Sequence, residues 1–384
     1  MAARRGRSLE LADVFRAHAP PPEQLGRERG RAVRDIVNCR TPLLGGHLQV
    51  CDHCGREKPC YNSCRNRHCP KCQSLEQARW VEAQQQQLLP VPYFHMVFTV
   101  PTELHPLFLA DRSSSYALLF EAALCALHAV CRQHLGATPG TIAVLHTWSQ
   151  TLLFHPHVHC IVTGGGIDAE RRRWIASRPG FLVPVRALSK VFRGKLLELF
   201  ERSLRQGLLT VGQGLGQHLL QQAAAKQWVV YSKSPMAGPA QVLRYLGRYT
   251  HRIAIGNERL VSLDQGKVTF RYRDRRRGDA KKLLSLDAPG FVRRFLLHVL
   301  PRGFVRVRHF GFLANGCRAQ LLATARQLLA SPAPPTSDPS LRESWQELLL
   351  RLTGRNPARC PYCQRGVLRL TVVLPPLLTS TRAP

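Results

Sequence analysis

The stretch TLLFHPHVHCIVTGGG, Thr151 to Gly166, contains the clearest candidate for a functional site, and its composition is that of a β-strand. The triplet Ile161–Thr163 is β-branched, and the glycines of Gly164–Gly166 are expected to end the strand in a flexible loop. Because side chains alternate between the two faces of a strand, His157 and His159 leave the same side, one pleat apart. This geometry is typical of a two-histidine metal site, although a polar strip on a half-exposed sheet has the same pattern.

The composition places the chain among large, strongly basic folded proteins. Its 384 residues, 44% of them hydrophobic, can bury a sizeable core and form two or three domains. The 55 Lys and Arg against 24 Asp and Glu give a net charge of +31. A surplus of this size in a folded protein indicates a polyanionic partner, and nucleic acid fits better than a membrane surface.

The sequence predicts a cytoplasmic protein. We find no run of 18 or more apolar residues for a membrane-spanning helix, and the N-terminus turns acidic and amphipathic where a secretory signal needs an apolar run. In a cytosolic chain of this length, 13 cysteines predict metal ligands and some buried thiols in place of disulfides.

The segment CDHCGREKPCYNSCRNRHCPKC has the cysteine spacing of a zinc ribbon. Cys51 with Cys54 and Cys69 with Cys72 form two C-x2-C pairs, which we predict to hold one structural Zn²⁺ between four thiolates. A complete thiolate shell leaves no open position for water, so this zinc is not expected to be catalytic. Three further possible zinc ligands lie between the pairs, namely Cys60, Cys64 and His68. A different set of four ligands, or a second zinc ion, therefore stays open.

The fold class expected from the sequence is α+β. Strands are predicted at Tyr93–Val100, Thr141–Ser149 and His157–Thr163, and a strong amphipathic helix at Val185–Leu208. The short connection between the second and third of these strands suits antiparallel neighbours. We therefore expect a central antiparallel sheet with helices on one face. Further along the chain, Arg259–Ser262 and Lys267–Tyr272 predict a hairpin through Asp264–Gly266, and Asp287 is expected to N-cap a helix that has Pro289 in its first turn.

Three domains are predicted along the chain. Residues 1–92 form a helical lead and a zinc-ribbon-like domain, residues 93–310 form the candidate catalytic domain, and residues 311–384 form a helical tail. The tail contains Cys360 and Cys363, a lone C-x2-C pair that by itself is half of a zinc site.

The segment AGPAQVLRYLGRYTHRIAI, Ala237 to Ile255, predicts a helix that carries two tyrosines. Tyr245 and Tyr249 are four residues apart, so their phenols project from one helix face, and Arg248 and Arg252 repeat the spacing on an adjacent stripe. A core helix with tyrosine hydroxyls at its rim has the same pattern. However, a phenol backed by arginines and brought to a metal-bound phosphate is also a nucleophile that can attack phosphorus.

Together these motifs resemble the transposases of the insertion sequence 91 family, which belong to the two-tyrosine HUH endonucleases. The resemblance rests on HPHVH, on the Y-x-x-R-Y-x-x-R helix after it and on YNSCRNRHCPKCQ before it. Further motifs extend the resemblance over nearly the whole chain, and all of them occur in the order typical of the family. From the N-terminus they are LADVFRAH, YFHMVFTVP, VLHTW, VTFRYRD and FVRRFLLHVLPRGF. The resemblance implies an HUH-endonuclease fold and rolling-circle transposition of an insertion sequence by nicking and joining one DNA strand.

The resemblance also implies roles for individual residues. His157 and His159 would hold Mg²⁺ or Mn²⁺, which polarises the scissile phosphate, and Tyr245 and Tyr249 would be the nucleophiles that form a 5′-phosphotyrosine. The first candidate for a third metal ligand is Gln150. The alternatives for that third ligand are His251 and His155.

The partner implied by the resemblance is single-stranded DNA at the transposon ends and at the target, which also implies association with the bacterial nucleoid. Residues 241–310 carry 17 Lys and Arg against 5 Asp and Glu, and Phe270 and Tyr272 alternate there with arginines, a pattern suited to pairing phosphates and stacking bases. The sequence has no G-x-x-x-x-G-K-[ST] loop, so a helicase is expected from the host, together with host replication proteins. The arginines predicted to contact DNA are Arg248, Arg252, Arg271, Arg273, Arg275, Arg276 and Arg277.

Two other functions stay open at the level of the sequence. A rolling-circle plasmid replication initiator would use the same chemistry, and the cysteine-rich lead is compatible with it. A zinc-ribbon regulator would bind DNA without cutting it. Formation of a covalent protein–DNA adduct distinguishes the transposase and the replication initiator from the regulator, because only an enzyme forms one.

Overall fold

A computed structural model describes residues 8–85, 87–168, 170, 173–236, 241–242, 247, 254–274, 278–331 and 343–377. The helices in this part of the chain are α1 Leu11–His18, α2 Arg27–Asn38, α3 Gln73–Gln85, α4 His105–Ala110, α5 Arg112–Leu135, α6 Val185–Arg205, α7 Gln213–Ala224, α8 Ala288–Leu296, α9 Arg318–Leu328 and α10 Trp345–Thr353. The strands are β1 Gly46–Cys51, β2 Glu57–Tyr61, β3 Tyr93–Thr99, β4 Thr138–Trp148, β5 Phe154–Asp168, β6 Arg173–Ala176, β7 Val230–Met236, β8 Leu260–Asp264, β9 Lys267–Asp274, β10 Ala280–Asp287, β11 Val307–Phe310 and β12 Leu368–Leu374. The chain is therefore α+β, as predicted.

The chain divides into two compact units, and each is assembled from separate segments. The first unit comprises Met1–Trp80, His251–Val299 and Thr336–Pro384, and the second comprises Val81–Thr250 and Leu300–Pro335. This division differs from the sequential domains 1–92, 93–310 and 311–384, because β12 near the C-terminus pairs with β1 near the N-terminus. The predicted helical tail accordingly also contributes a strand.

The second unit is built on a six-stranded antiparallel sheet. Five strands follow the order β11, β4, β5, β3, β7, and β6 pairs with β5 outside this path. Alternate residues of β5, namely Val158, Cys160 and Val162, point into the hydrophobic core with residues of α5 and α6. Because side chains alternate along a strand, His157 and His159 lie on the opposite face of the sheet.

The longest helix, α5, belongs to this core. By length and composition α5 could cross a membrane, but 61% of its most apolar 18-residue window is buried inside the protein. Leu119, Phe120 and Leu127 of α5 are fully buried. This degree of burial is typical of a core helix in a folded unit, so packing within the protein explains the apolar composition of α5.

The strand that carries the histidine pair is longer than predicted. β5 continues through Gly164–Gly166 to Asp168, so the glycines do not end it in a loop. A Cβ on Gly166 would lie 2.4 Å from the carbonyl oxygen of Thr138, and a Cβ on Gly164 would lie 2.8 Å from that of Pro92. Glycine is required here because neighbouring backbones approach closely, a need that the local sequence does not distinguish from a loop.

The first unit contains two three-stranded antiparallel sheets, ordered β12, β1, β2 and β10, β9, β8. The predicted hairpin through Asp264–Gly266 is confirmed as β8 and β9, and β10 adds a third strand. The predicted N-cap of α8 is also confirmed, since the Asp287 carboxylate accepts a hydrogen bond from Gly290 N at 2.8 Å. Within α8, Phe295 packs edge-on against Phe15 of α1, with ring centroids 5.3 Å apart.

Replacing Gly166 by alanine is expected to destabilise the second unit by about 2 kcal/mol or more, because the Thr138 carbonyl would have to move and disturb the pairing of β4 with β5. Urea unfolding followed by circular dichroism measures this loss. Gly194→Ala on α6 is the control, since a Cβ there meets nothing within 4 Å. That control should be neutral or stabilising by up to about 1 kcal/mol, and equal stabilities of the two variants would contradict the close approach at Gly166.

Candidate functional site

Three imidazoles meet on the face of the β3–β4–β5 sheet opposite the helical core. His146 of β4 lies directly across from His157 of β5, and His159 follows one pleat further along β5. One ligand nitrogen of each ring lies within 4.8 Å of the others. These three residues are 3%, 8% and 5% exposed respectively, so the cluster is shielded from bulk water. Three converging imidazole nitrogens are a donor set that fits a divalent metal ion.

Hydrogen bonds fix the orientation of two of these rings. Nδ1 of His157 lies 2.6 Å from the carbonyl oxygen of His155. Since a carbonyl oxygen only accepts, Nδ1 carries the proton and Nε2 keeps its lone pair for a metal. Nδ1 of His159 lies 2.9 Å from Nε2 of His95 on β3, and the two rings are stacked. In metal-binding histidines, the ring nitrogen that does not bind the metal typically makes a hydrogen bond of this kind.

The third imidazole comes from a residue that sequence reasoning missed. Alternation along β4 predicts which face of the strand His146 lies on. Its position across from His157, however, depends on the register of the β4–β5 pair. Gln150, the first candidate, lies in the turn between these strands and stays a prediction. His155 is not part of the cluster; it supplies its backbone carbonyl, and burial lowers the pKa of its ring. The other alternative, His251, lies outside the described residues.

The predicted nucleophiles and most of the predicted DNA contacts also lie outside the described residues. These are Tyr245, Tyr249, Arg248, Arg252, Arg275, Arg276 and Arg277. Their roles stay predictions from the sequence.

A cluster of four thiols lies in the N-terminal part of the first unit. The Sγ atoms of Cys39, Cys64, Cys69 and Cys72 all lie within 4.8 Å of one another. The Sγ atom of Cys72 is 3.3 Å from that of Cys39 and 3.6 Å from that of Cys64. Zinc–sulfur bonds of about 2.3 Å in a tetrahedron separate the sulfurs by about 3.8 Å, whereas a disulfide bond is about 2.05 Å long. The spacing fits zinc and not a disulfide.

Hydrogen bonds between these thiols favour ionisation of two of them. The Cys64 thiol lowers the pKa of Cys39 to about 7, and the Cys39 thiol holds the pKa of Cys72 far below its usual range. The Cys39 thiol conversely raises the pKa of Cys64 and of Cys69, so a metal ion that binds all four sulfurs must displace the protons of those two thiols.

The two C-x2-C pairs of the predicted zinc ribbon do not share one site. Cys69 and Cys72 join Cys39 and Cys64, so the fourth ligand comes from the end of α2, twelve residues before the quoted segment. Of the donors left open by the sequence, Cys64 is in this cluster. The other two belong to neither cysteine cluster: Cys60, whose thiol donates to Gln49 Oε1 at 3.2 Å, and His68.

The other predicted pair joins the C-terminal segment. Cys51 and Cys54 lie with Cys360 and Cys363, whose Sγ atoms form a second four-thiol cluster within 4.8 Å. The predicted single shell is therefore replaced by two clusters, because β1 places its end beside the start of β12 rather than beside the second pair. The lone C-x2-C pair of the tail thereby gains partners that its spacing could not indicate.

The strand β9 displays part of the predicted DNA-binding surface. Arg271 and Arg273 are exposed and share one face of the strand. Phe270 is fully buried and packs edge-on against Phe291 of α8, so it is not available to stack on bases. That expectation was wrong because alternation along β9 directs Phe270 into the core. Tyr272 is half-buried.

Comparisons with known proteins match both parts of the chain. A family model described as "Putative transposase" matches residues 140–320, and one described as "Transposase zinc-binding domain" matches residues 10–100. The chain is 43% identical over 371 residues to the putative transposase y4qJ of Sinorhizobium fredii, covering 93% of each chain. It is 29% identical over 349 residues to the transposase for insertion sequence element IS801 of Pseudomonas savastanoi pv. phaseolicola, covering 86% of this chain and 80% of the relative. No solved structure gives a significant match.

His146→Ala is expected to weaken Mn²⁺ binding at least about tenfold, because it removes one of three converging nitrogens. Isothermal titration calorimetry of the purified chain, freed of metal at this site, measures the affinity. Gln150→Ala is the matched comparison, and we expect it to change the affinity less. A greater loss for Gln150→Ala than for His146→Ala would instead identify the glutamine as the third ligand.

Proposed function

This chain belongs to the insertion sequence 91 family of transposases, and from that premise we propose that it is a two-tyrosine HUH enzyme. Its proposed activity is to nick and rejoin single-stranded DNA during rolling-circle transposition. The observation that carries the proposal is the buried cluster of His146, His157 and His159 on two paired strands. It lies within the residues that match the transposase family model.

The histidine cluster would hold Mg²⁺ or Mn²⁺. When bound, the ion supplies positive charge that polarises the scissile phosphate. The chain orients the ligands in advance through the His155 carbonyl and the His95 ring, so little rearrangement is needed on metal binding. Because imidazole is a softer ligand than the carboxylates that suit Mg²⁺, we expect Mn²⁺ to bind more tightly.

Tyr245 and Tyr249 would be the nucleophiles. The phenol oxygen of one tyrosine forms a bond to phosphorus while the bond from phosphorus to the 3′ oxygen breaks, and the proton lost by the phenol balances the proton gained by the leaving oxygen. The product is a 5′-phosphotyrosine and a free 3′-hydroxyl. Since the phosphodiester energy is conserved, resealing needs no ATP. With two tyrosines, one can hold the donor end while the other cuts again.

The remaining parts of the chain would bind DNA and maintain the fold. A structural Zn²⁺ fits the four thiols of the matched zinc-binding domain. On the second sheet of the first unit, Arg273 lies across from Lys281 of β10 and Arg271 is two residues along β9 from Arg273, and this basic strip would pair with backbone phosphates. The enzyme would act at DNA in the bacterial cytoplasm, with a helicase from the host.

Replacing both nucleophiles, as Tyr245→Phe with Tyr249→Phe, is expected to abolish a covalent adduct with labelled single-stranded DNA carrying a transposon end. Denaturing gel electrophoresis detects the adduct by its retained label. His157→Ala should reduce the rate of adduct formation by about 100-fold or more, because the phosphate is no longer polarised.

Tyr231→Phe is the control for loss of a phenol, since Tyr231 is exposed at 51% and is not one of the proposed nucleophiles. It should leave the adduct unchanged. Binding without any adduct in the unmodified protein would support a regulator in place of an enzyme, and full activity of the His157→Ala variant would refute the metal site.

The double variant Arg271→Gln with Arg273→Gln is expected to weaken binding of single-stranded DNA irrespective of sequence. The slope of log K against log salt should fall in magnitude by about 0.7 for each phosphate that the variant no longer neutralises. Fluorescence anisotropy over a salt series measures it. Arg202→Gln is the control for loss of a positive charge away from β9. This half-exposed arginine belongs to α6 of the second unit and lies 3.8 Å from the carboxylate of Glu121 on α5. An unchanged slope in the double variant would remove β9 from the DNA-binding surface.

A further inference from the structure

We propose that Cys51, Cys54, Cys360 and Cys363 form a second zinc site, which fastens the C-terminal strand of the chain to its N-terminal hairpin. The region that matches the transposase zinc-binding domain, residues 10–100, contains only half of this ligand set. The other half lies more than 300 residues away in sequence.

The distances between the sulfurs suit a single tetrahedral ion. The Sγ atom of Cys51 lies 3.7 Å from that of Cys363, and the Sγ atom of Cys54 lies 3.8 Å from that of Cys360. Both agree with the separation of about 3.8 Å that Zn–S bonds of about 2.3 Å require. They are too long for disulfides, and an iron–sulfur cluster would place its own atoms between the cysteines and hold them further apart.

Both cysteine pairs have the backbone geometry of a metal-binding turn. The N–H of Cys54 points at Cys51 Sγ at 3.5 Å, and the N–H of Gly366 points at Cys363 Sγ at 3.4 Å. Amide groups directed at the sulfurs stabilise thiolates and orient them toward an ion. The chain thus presents two similar half-sites that face each other.

A glycine beside the cluster permits this approach. A Cβ on Gly366 would lie 2.4 Å from Cys51 Sγ, so any larger residue would push the two half-sites apart. Cys51 and Cys360 are 2% and 0% exposed, whereas Cys54 is exposed and Cys363 is half-buried, so the cluster lies near the surface of the first unit with two of its thiols shielded from water. A shell of four thiolates leaves no position for water, so the site is structural.

The cluster is continuous with the pairing of β1 and β12. Asp52, next to Cys51, exchanges two hydrogen bonds with Val367: its N–H donates to the Val367 carbonyl, and its carboxylate accepts from the Val367 N–H at 2.7 Å. Beyond this point Cys51 pairs with Leu368 as the strands run together. Closing a loop of more than 300 residues is entropically costly, and β12 is largely exposed, so a metal at its start would hold the strand in register.

Zinc content of the full-length chain tests the proposal. Mass spectrometry of metals should find about two zinc ions per chain in the unmodified protein and about one in the double variant Cys360→Ser with Cys363→Ser. Cys39→Ser with Cys72→Ser should also leave about one, from the other cluster. Cys60→Ser is the matched control on the same hairpin, because its thiol belongs to neither cluster, and it should keep both ions.

A second measurement covers variants that fail to fold. Gly366→Ala leaves all the ligands in place but should increase the rate of zinc release to a chelator by about tenfold or more for one of the two ions. Gly316→Ala, where a Cβ meets nothing within 4 Å, should leave both rates unchanged. Hydrogen exchange should become faster at residues 368–374 of the cysteine double variant and stay unchanged at 260–287.

Three results would overturn the proposal. The first is one zinc ion per chain in the unmodified protein with Cys360 and Cys363 reactive toward a thiol reagent. The second is iron at this site. The third is a zinc content of the Cys360 and Cys363 double variant equal to that of the unmodified protein. None of these depends on nicking, so the second zinc site and the proposed enzyme activity can fail independently.

Discussion

The register between β4 and β5 is the constraint on which the candidate active site depends. In this register His146 lies across from His157, while Leu145 and Val158 point together into the helical core. A slip by one residue would turn the imidazoles of one strand into the core and its aliphatic side chains out of it. Burial of the aliphatic face therefore fixes the position of the polar face, and the free energy that folds the sheet also assembles the imidazole cluster.

Close approaches of the backbone support both parts of the chain. At Gly166 the absence of a side chain lets β5 run on beside Thr138, which extends the strand that holds the histidines. At Gly366 the same absence lets one cysteine turn come within reach of Cys51. In each place a side chain larger than that of glycine would clash with a neighbouring segment that the fold brings close.

At the proposed second zinc site, metal binding would compensate for limited hydrophobic burial. The apolar cluster around Cys51 contains few residues besides the cysteines themselves, and β12 is exposed along most of its length. A small sheet of this kind has little apolar surface to stabilise it, so metal binding can contribute directly to its folding. The second unit needs no such support, because α5 and α6 cover its sheet with a continuous core.

The sequence by itself determined the α+β class, the strand that carries His157 and His159, the hairpin after Asp264, the N-cap at Asp287 and the family. Each of these depends on local periodicity, on turn chemistry or on the order of short motifs. Only the tertiary structure decided that His146 completes the imidazole cluster, that Phe270 is buried, and that Cys51 and Cys54 join Cys360 and Cys363. Those outcomes depend on strand register and on pairing between distant segments, and the spacing of residues within one segment contains no information about either.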